Sequence, residues 1–300
     1  MNVLLVYFTG TYNTRFVSSL LKDKFIKTNN SVTLYEYSYR NNSIDLSKYD
    51  LIGIGYPIYA FNSPKVFNKF LKKIDLKDKD CFIYKDSGET LRYNDSSSRT
   101  IKHILKQKNA HLLYEMHIAM PYNIIFPFEN IFIKELVNYA DKSCSILVYD
   151  LLNHNKVIIK DNIYYRTISY ILSIINFGAY VNHLFYKVDY KKCIHCNMCL
   201  YTCPNHNIVI KNNKYKFKKN CSMCMRCSFY CPKSAIDIGF LEPWKLKNYY
   251  NLTKISISNK AKTRYINEDS KGFYKCFVKT FNKVDNRYKE IYEEIHKMGL

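Results

Sequence analysis

Eight cysteines between positions 193 and 231 carry the strongest chemical signal in the chain. They form two runs of one spacing: Cys193, Cys196, Cys199 and Cys203 before Pro204, then Cys221, Cys224, Cys227 and Cys231 before Pro232. Every cysteine of the first run recurs 28 positions later, as do Pro204 in Pro232, Ile208 in Ile236 and Ile210 in Ile238, so the segment is an internal duplication. Three thiolates at intervals of three let one tight loop wrap an iron–sulfur cubane, while the turn at Cys-Pro sends the fourth thiolate toward the other half. Structural zinc also takes paired C-x2-C units, but it would leave the third cysteine of each triplet and both prolines without a purpose. Neither Cys196 nor Cys227 precedes a histidine, which excludes attached haem.

The run resembles that of bacterial ferredoxins, present twice. The resemblance implies two four-iron four-sulfur clusters with crossed ligands. Cys193, Cys196, Cys199 and Cys231 would hold one cluster, and Cys221, Cys224, Cys227 and Cys203 the other. Apolar side chains such as Ile194, Ile208, Val209 and Ile236 would keep water off the cubanes. His195 and His206 are read as loop residues, because the ligand count is complete without them. Of the outlying cysteines, Cys81 reads as strand core, and Cys144 and Cys276 receive no role.

The elements that must position further chemistry lie upstream. Apolar runs at Val3 to Tyr7, Val32 to Glu36, Leu51 to Gly55, Cys81 to Tyr84 and Leu112 to Ala119 alternate with amphipathic stretches. Such alternation predicts α/β architecture with a parallel sheet covered by helices on both faces. Ligands in these sheets bind beyond the carboxyl ends of the strands, so the loops after Tyr7, Gly55 and Tyr84 are the candidate positions. The first loop, Phe8 to Thr14, concentrates hydroxyls and backbone amides before a helical run from Arg15 to Ile26, a composition suited to a phosphate monoester. It has neither the Walker pattern nor the dinucleotide G-x-G-x-x-G.

That loop resembles the phosphate loop of flavodoxins, S/T-G-T-G-N-T, with Tyr12 replacing the second glycine. The resemblance implies a flavodoxin-like domain with Thr9, Gly10, Thr11, Tyr12, Asn13 and Thr14 around the phosphate of FMN. In the second loop, Pro57, Ile58, Tyr59, Ala60 and Asn62 would pass beside the isoalloxazine, with Tyr59 as ring neighbour. Asp86, Ser87, Gly88 and Glu89 of the third loop would supply flavin contacts, with Gly88 permitting close approach. A flavodoxin-like domain followed by a duplicated ferredoxin resembles the EFR1 family of ferredoxins, as do Met120 to Phe126, Tyr186 to Asp189 and Cys224 to Phe229. The expected division is 1–150 flavodoxin-like, 151–187 helical linker, 188–242 two-cluster α+β domain and 243–300 a tail.

Composition bounds the remaining choices. With 300 residues, 47% hydrophobic and only eight glycines and seven prolines, the chain is globular rather than disordered or fibrous. Its 46 Lys and Arg against 25 Asp and Glu give a net charge of +21. That charge is scattered and accompanies no nucleic-acid motif, so dedicated nucleic-acid binding is not expected, whereas transient docking of an acidic redox carrier is. Met1 leads into a strand without a basic, cleavable leader, which predicts a cytoplasmic location. The apolar stretch from Ile168 to Tyr186 reads as a buried or bridging helix, with peripheral membrane contact as the alternative. Apolar residues from Phe273 to Ile295, spaced by three or four, predict one docked helix over Lys271 to Lys297. His103, His111 and His117 read as structural. The expected function is electron transfer between two clusters and FMN, with an FMN-dependent oxidoreductase of a small molecule such as a quinone, or a membrane-surface conduit, as alternatives.

Overall fold

The five apolar runs pair as one parallel sheet in the order β2-β1-β3-β4-β5, from β1 (Asn2–Tyr7), β2 (Ser31–Glu36), β3 (Leu51–Pro57), β4 (Asp80–Ser87) and β5 (His111–Ala119). The structure, a computed structural model, describes residues 1–41, 43–125, 127–172, 181–246, 249–257 and 264–300. The order is that of flavodoxin-like doubly wound folds, with the topological switch between β1 and β3. Register brings Tyr7 beside Gly55, Pro57 beside Asp86 and Ser87 beside Ala119, so the loops after all four strands emerge along one edge.

Helix α1 (Asn13–Lys27) and α4 (Asn130–Leu152) cover one face, and α2 (Lys65–Lys73) and α3 (Arg99–Gln107) the other. β4 runs past its apolar core because Lys85 and Asp86 are buried although polar. Lys85 Nζ reaches Glu115 Oε1 at 2.8 Å, and the carbonyls of Asn94 and Asp95 at 3.0 and 3.1 Å. A buried ammonium persists only with partners of this kind, and here they tie the end of β4 to residues 92–98. Cys81 lies in strand core, as expected.

The tail differs from the expected single helix. Helix Lys275–Glu290 ends at Ile291 and a second, Tyr292–Lys297, follows. Turning there keeps both Phe281 and Ile295 in the core shared with α4, where Tyr139 stacks on Phe281 with centroids 4.5 Å apart. Burying each such side chain contributes about 1.5–3 kcal/mol. The stretch from Ile168 to Tyr186 falls partly outside the described residues. Helix α5 (Ile163–Leu172) contains its start, and among the described residues no helix is long and apolar enough to cross a membrane.

The duplicated segment forms a small α+β module. β6 (Tyr186–Val188) pairs antiparallel with β9 (Ile236–Ile238), and β7 (Ile208–Lys211) forms a hairpin with β8 (Lys214–Phe217). Asn212 and Asn213, at φ 52° and 55°, make the two-residue turn, as left-handed asparagines do in tight hairpins. The repeat extends into the backbone. Left-handed residues recur at the 28-residue offset: His195 with Met223, Asn197 with Met225 and His206 with Ser234.

Candidate functional site

The loop after β1 turns into α1 through Tyr12, which stands at φ 70° where the flavodoxin pattern has glycine. A left-handed tyrosine costs about 1–2 kcal/mol, and the ring contacts offset it. The Tyr230 ring lies 5.0 Å away and the Arg226 guanidinium 4.8 Å from the Tyr12 centroid. Among the described residues, the backbone N–H groups of Gly10, Thr11, Tyr12, Asn13 and Thr14 find no acceptor. The buried hydroxyl of Thr9 is likewise without a partner. Buried donors are nearly always satisfied in native proteins, so a row of open amides at a helix start is the signature of an anion cradle.

The side chains of the loop are engaged elsewhere. Asn123 Nδ2 donates to Thr11 Oγ1 at 3.0 Å. Asn13 Nδ2 donates to the Pro121 carbonyl at 2.7 Å and accepts from Tyr250 at 2.9 Å. Thr14 Oγ1 donates to Asp86 Oδ2 at 2.5 Å. Asp86 is buried, and desolvation lifts its carboxyl from 3.8 to about 7. Five amides with the Thr9 and Thr11 hydroxyls fit the phosphate of FMN; a protonated Asp86 is compatible with it, an ionised one repels it.

In the second loop Tyr59 and Asn62 close a turn by mutual backbone bonds of 2.9 and 3.0 Å, with Ala60 at φ 42° and Phe61 at φ 61°. Two consecutive non-glycine residues held left-handed are strain of the kind kept near functional sites. The Tyr59 ring meets Phe8 edge-on at 6.3 Å, and its buried hydroxyl has no partner among the described residues. A Cβ at Gly10 would collide with that hydroxyl and stand 2.7 Å from the Cys224 carbonyl, so glycine is required there by close approach. Pro57 is buried, and the Ile58 amide continues the ladder to the Asp86 carbonyl at 2.8 Å. In the third loop, Ser87 Oγ donates to the Glu89 carbonyl and contacts His117 Nε2 at 2.7 Å. The Tyr122 hydroxyl bonds Glu89, and its ring lies where a Gly88 side chain would begin. His103 and His111 are exposed, and His111 faces Asp80 at 3.2 Å.

The module brings its cysteines together in crossed sets. Cys193, Cys196, Cys199 and Cys231 line one small cavity with Ile194, Met198 and Ile236. The Cys199 thiol faces Cys231, Cys193 and Cys196. Cys221 and Cys227 both lie near Cys224 and Cys203. The fourth cysteine of each run accepts an amide from four residues on: Asn207 to Cys203 Sγ at 3.3 Å and Ala235 to Cys231 Sγ at 3.2 Å. Such bonds to sulfur raise a cluster's potential and hold the thiolate in place. Among the described residues no three His, Cys, Asp or Glu side chains converge on one metal ion. Cubane thiolates each bind a different iron and stand apart, whereas zinc thiolates share one ion at about 2.3 Å.

Sequence reasoning missed what joins the two halves. Arg226, between Cys224 and Cys227, donates through Nε to the Gly10 carbonyl at 2.7 Å and through Nη2 to the Thr9 carbonyl at 2.6 Å. It also meets Glu36 Oε1 at 3.0 Å and the Thr202 carbonyl at 3.2 Å. The Tyr230 hydroxyl donates to the Thr11 carbonyl at 3.0 Å. All three donors take the carbonyl side of the phosphate loop, which leaves its amides turned the other way. The sequence offered only an arginine inside a motif that needs nothing but thiolates, and its burial arises from docking.

No family model and no curated protein matches the chain. Solved structures similar to it include an archaeal flavodoxin, at 10% identity over 48% of this chain and 94% of that one, with a TM-score of 0.35. Flavodoxin 2 from Bacillus cereus is 20% identical over 47% of this chain and 95% of its own, TM-score 0.35. A Fusobacterium nucleatum flavodoxin mutant bound to flavin mononucleotide is 14% identical over 37% and 66%, TM-score 0.31.

Proposed function

We propose that this chain is an electron-transfer protein in which two four-iron four-sulfur clusters exchange electrons with FMN held in the same polypeptide. The observation that carries the reading is the contact between the second cysteine triplet and the phosphate loop: the Cys224 carbonyl and Arg226 both touch Gly10. A cluster on Cys221, Cys224, Cys227 and Cys203 would then adjoin the flavin site, with the set of Cys193, Cys196, Cys199 and Cys231 farther out. FMN, when bound, accepts one or two electrons and so links one-electron carriers to two-electron chemistry.

The chain's own residues would bind and insulate. The amides of Gly10 to Thr14, with Thr9 and Thr11, would hold the phosphate, and Asp86 would keep a proton beside it. Tyr186, Met225 and Ile236 pack with Cys199, Cys221, Cys227 and Cys231 and would exclude water around the sulfur ligands. Arg226 fixes the orientation of the loop against the module.

Stepwise reductive titration of anaerobically purified protein tests this, followed by absorbance and by paramagnetic resonance at low temperature. The reading expects two cluster signals and bleaching of a flavin band. A spectrum unchanged by dithionite overturns it.

A further inference from the structure

We infer that the face around Cys196 is the port at which an acidic one-electron carrier protein docks; this rests on the cluster reading above. The two cysteine sets differ in what covers them. The second lies against the flavodoxin-like part through Cys224, Arg226 and Tyr230, so a partner has no approach along that side. The first opens outward: Cys196 is exposed, and beside it Ile194 is 56% and Met198 46% exposed, although both line the cavity of the first set. Tyr190, 42% exposed, stacks toward His195 at 6.1 Å and extends the apolar surface. Exposed apolar side chains gathered at the mouth of one cavity would give a docking partner its contact surface.

Charge identifies the occupant. Residues 188–242 carry nine Lys and Arg against three Asp and Glu, a net +6. Exposed Lys233 lines the cavity of the first set, and exposed Lys191, Lys192 and Lys214 lie within two residues in sequence of its lining residues Cys193 and Tyr215. The nearby Asp189 is already paired with Lys192 at 3.5 Å. A basic rim around an apolar centre selects an acidic partner, speeds its encounter and weakens with salt. In such an exchange the reduced carrier would lose one electron and a cluster held by Cys193, Cys196, Cys199 and Cys231 would gain it, with no bond formed or broken.

Stopped-flow mixing of the anaerobic holoprotein with a reduced acidic two-iron ferredoxin tests the port. The parent should react with a second-order rate that falls steeply between 20 mM and 500 mM salt, roughly as the Debye length shortens. The triple variant Lys191→Glu, Lys192→Glu, Lys233→Glu should be slowed about tenfold or more at low salt. Reversing Lys69, Lys72 and Lys73 on α2 changes the net charge equally and should slow the rate less than about threefold. Iron content, and reduction by dithionite, should match the parent in both variants. Equal slowing by both variants, or a parent rate indifferent to salt, overturns the port. A parent chain lacking iron and sulfide overturns the cluster reading and the port with it.

Discussion

The Arg226 guanidinium donates to the carbonyl of Gly10 at 2.7 Å, 216 residues away in sequence, and this bond joins the cysteine module to the loop where a flavin phosphate would bind. Its side chain is only 6% exposed, and every partner lies outside its own motif: Thr9, Gly10, Glu36 and Thr202. The bond therefore couples whatever orders one half to the order of the other.

Removing that guanidinium takes the donor from three carbonyls and the nearer cation from the Glu36 carboxylate. Arg226→Leu is expected to lower stability by about 3–5 kcal/mol, read from urea unfolding under anaerobic conditions. Arg226→Lys keeps the charge but not the fork, and should lose about 1–3 kcal/mol. A neutral outcome for the leucine variant would mean that the two halves do not rest on this contact.

Tyr12 offers a separable test of strain and contact. Both Tyr12→Gly and Tyr12→Ala delete the ring held by Arg226 and Tyr230. Only alanine keeps a Cβ at φ 70°. Glycine should be the more stable of the two by about 1 kcal/mol. Equal stabilities would mean that the loop relaxes out of the left-handed region.

Burial holds Asp86 at about 7, against about 3.9 in an unfolded chain. Between these values the folded protein keeps a proton that the unfolded chain has released. This contribution to stability is complete below about pH 4 and disappears as pH rises through 7. Asp86→Asn should remove that dependence and exceed the parent by about 3–4 kcal/mol at pH 8. Parallel stability profiles for the two proteins from pH 4 to 8 would count against an ionising Asp86.

The proposed crossed ligation makes a prediction that runs against sequence position. Cys231→Ala lies in the second run, yet it should abolish or alter the resonance signal of the cluster held by Cys193, Cys196 and Cys199. Loss confined to the other cluster would contradict the pairing.

The sheet was legible because its five strands are short apolar runs at regular spacing, and the repeat was legible because thiolate chemistry fixes intervals. The ends were not. β4 hides Lys85 and Asp86 in a strand, since their partners come from Asn94, Glu115 and Thr14, which no local pattern connects. Periodicity carried the tail across Ile291, because a stripe spaced by three or four continues through a break when both helices bury the same side. The roles of Arg226, Tyr230 and Tyr250 arise only from docking. An arginine between two cysteines looks like any loop cation until the fold sets it against Gly10.

The most direct test of the account is the iron, acid-labile sulfide and flavin content of protein made and purified without oxygen. The account predicts about eight irons, about eight sulfides and one FMN per chain. Zinc in their place, with no flavin, would contradict it.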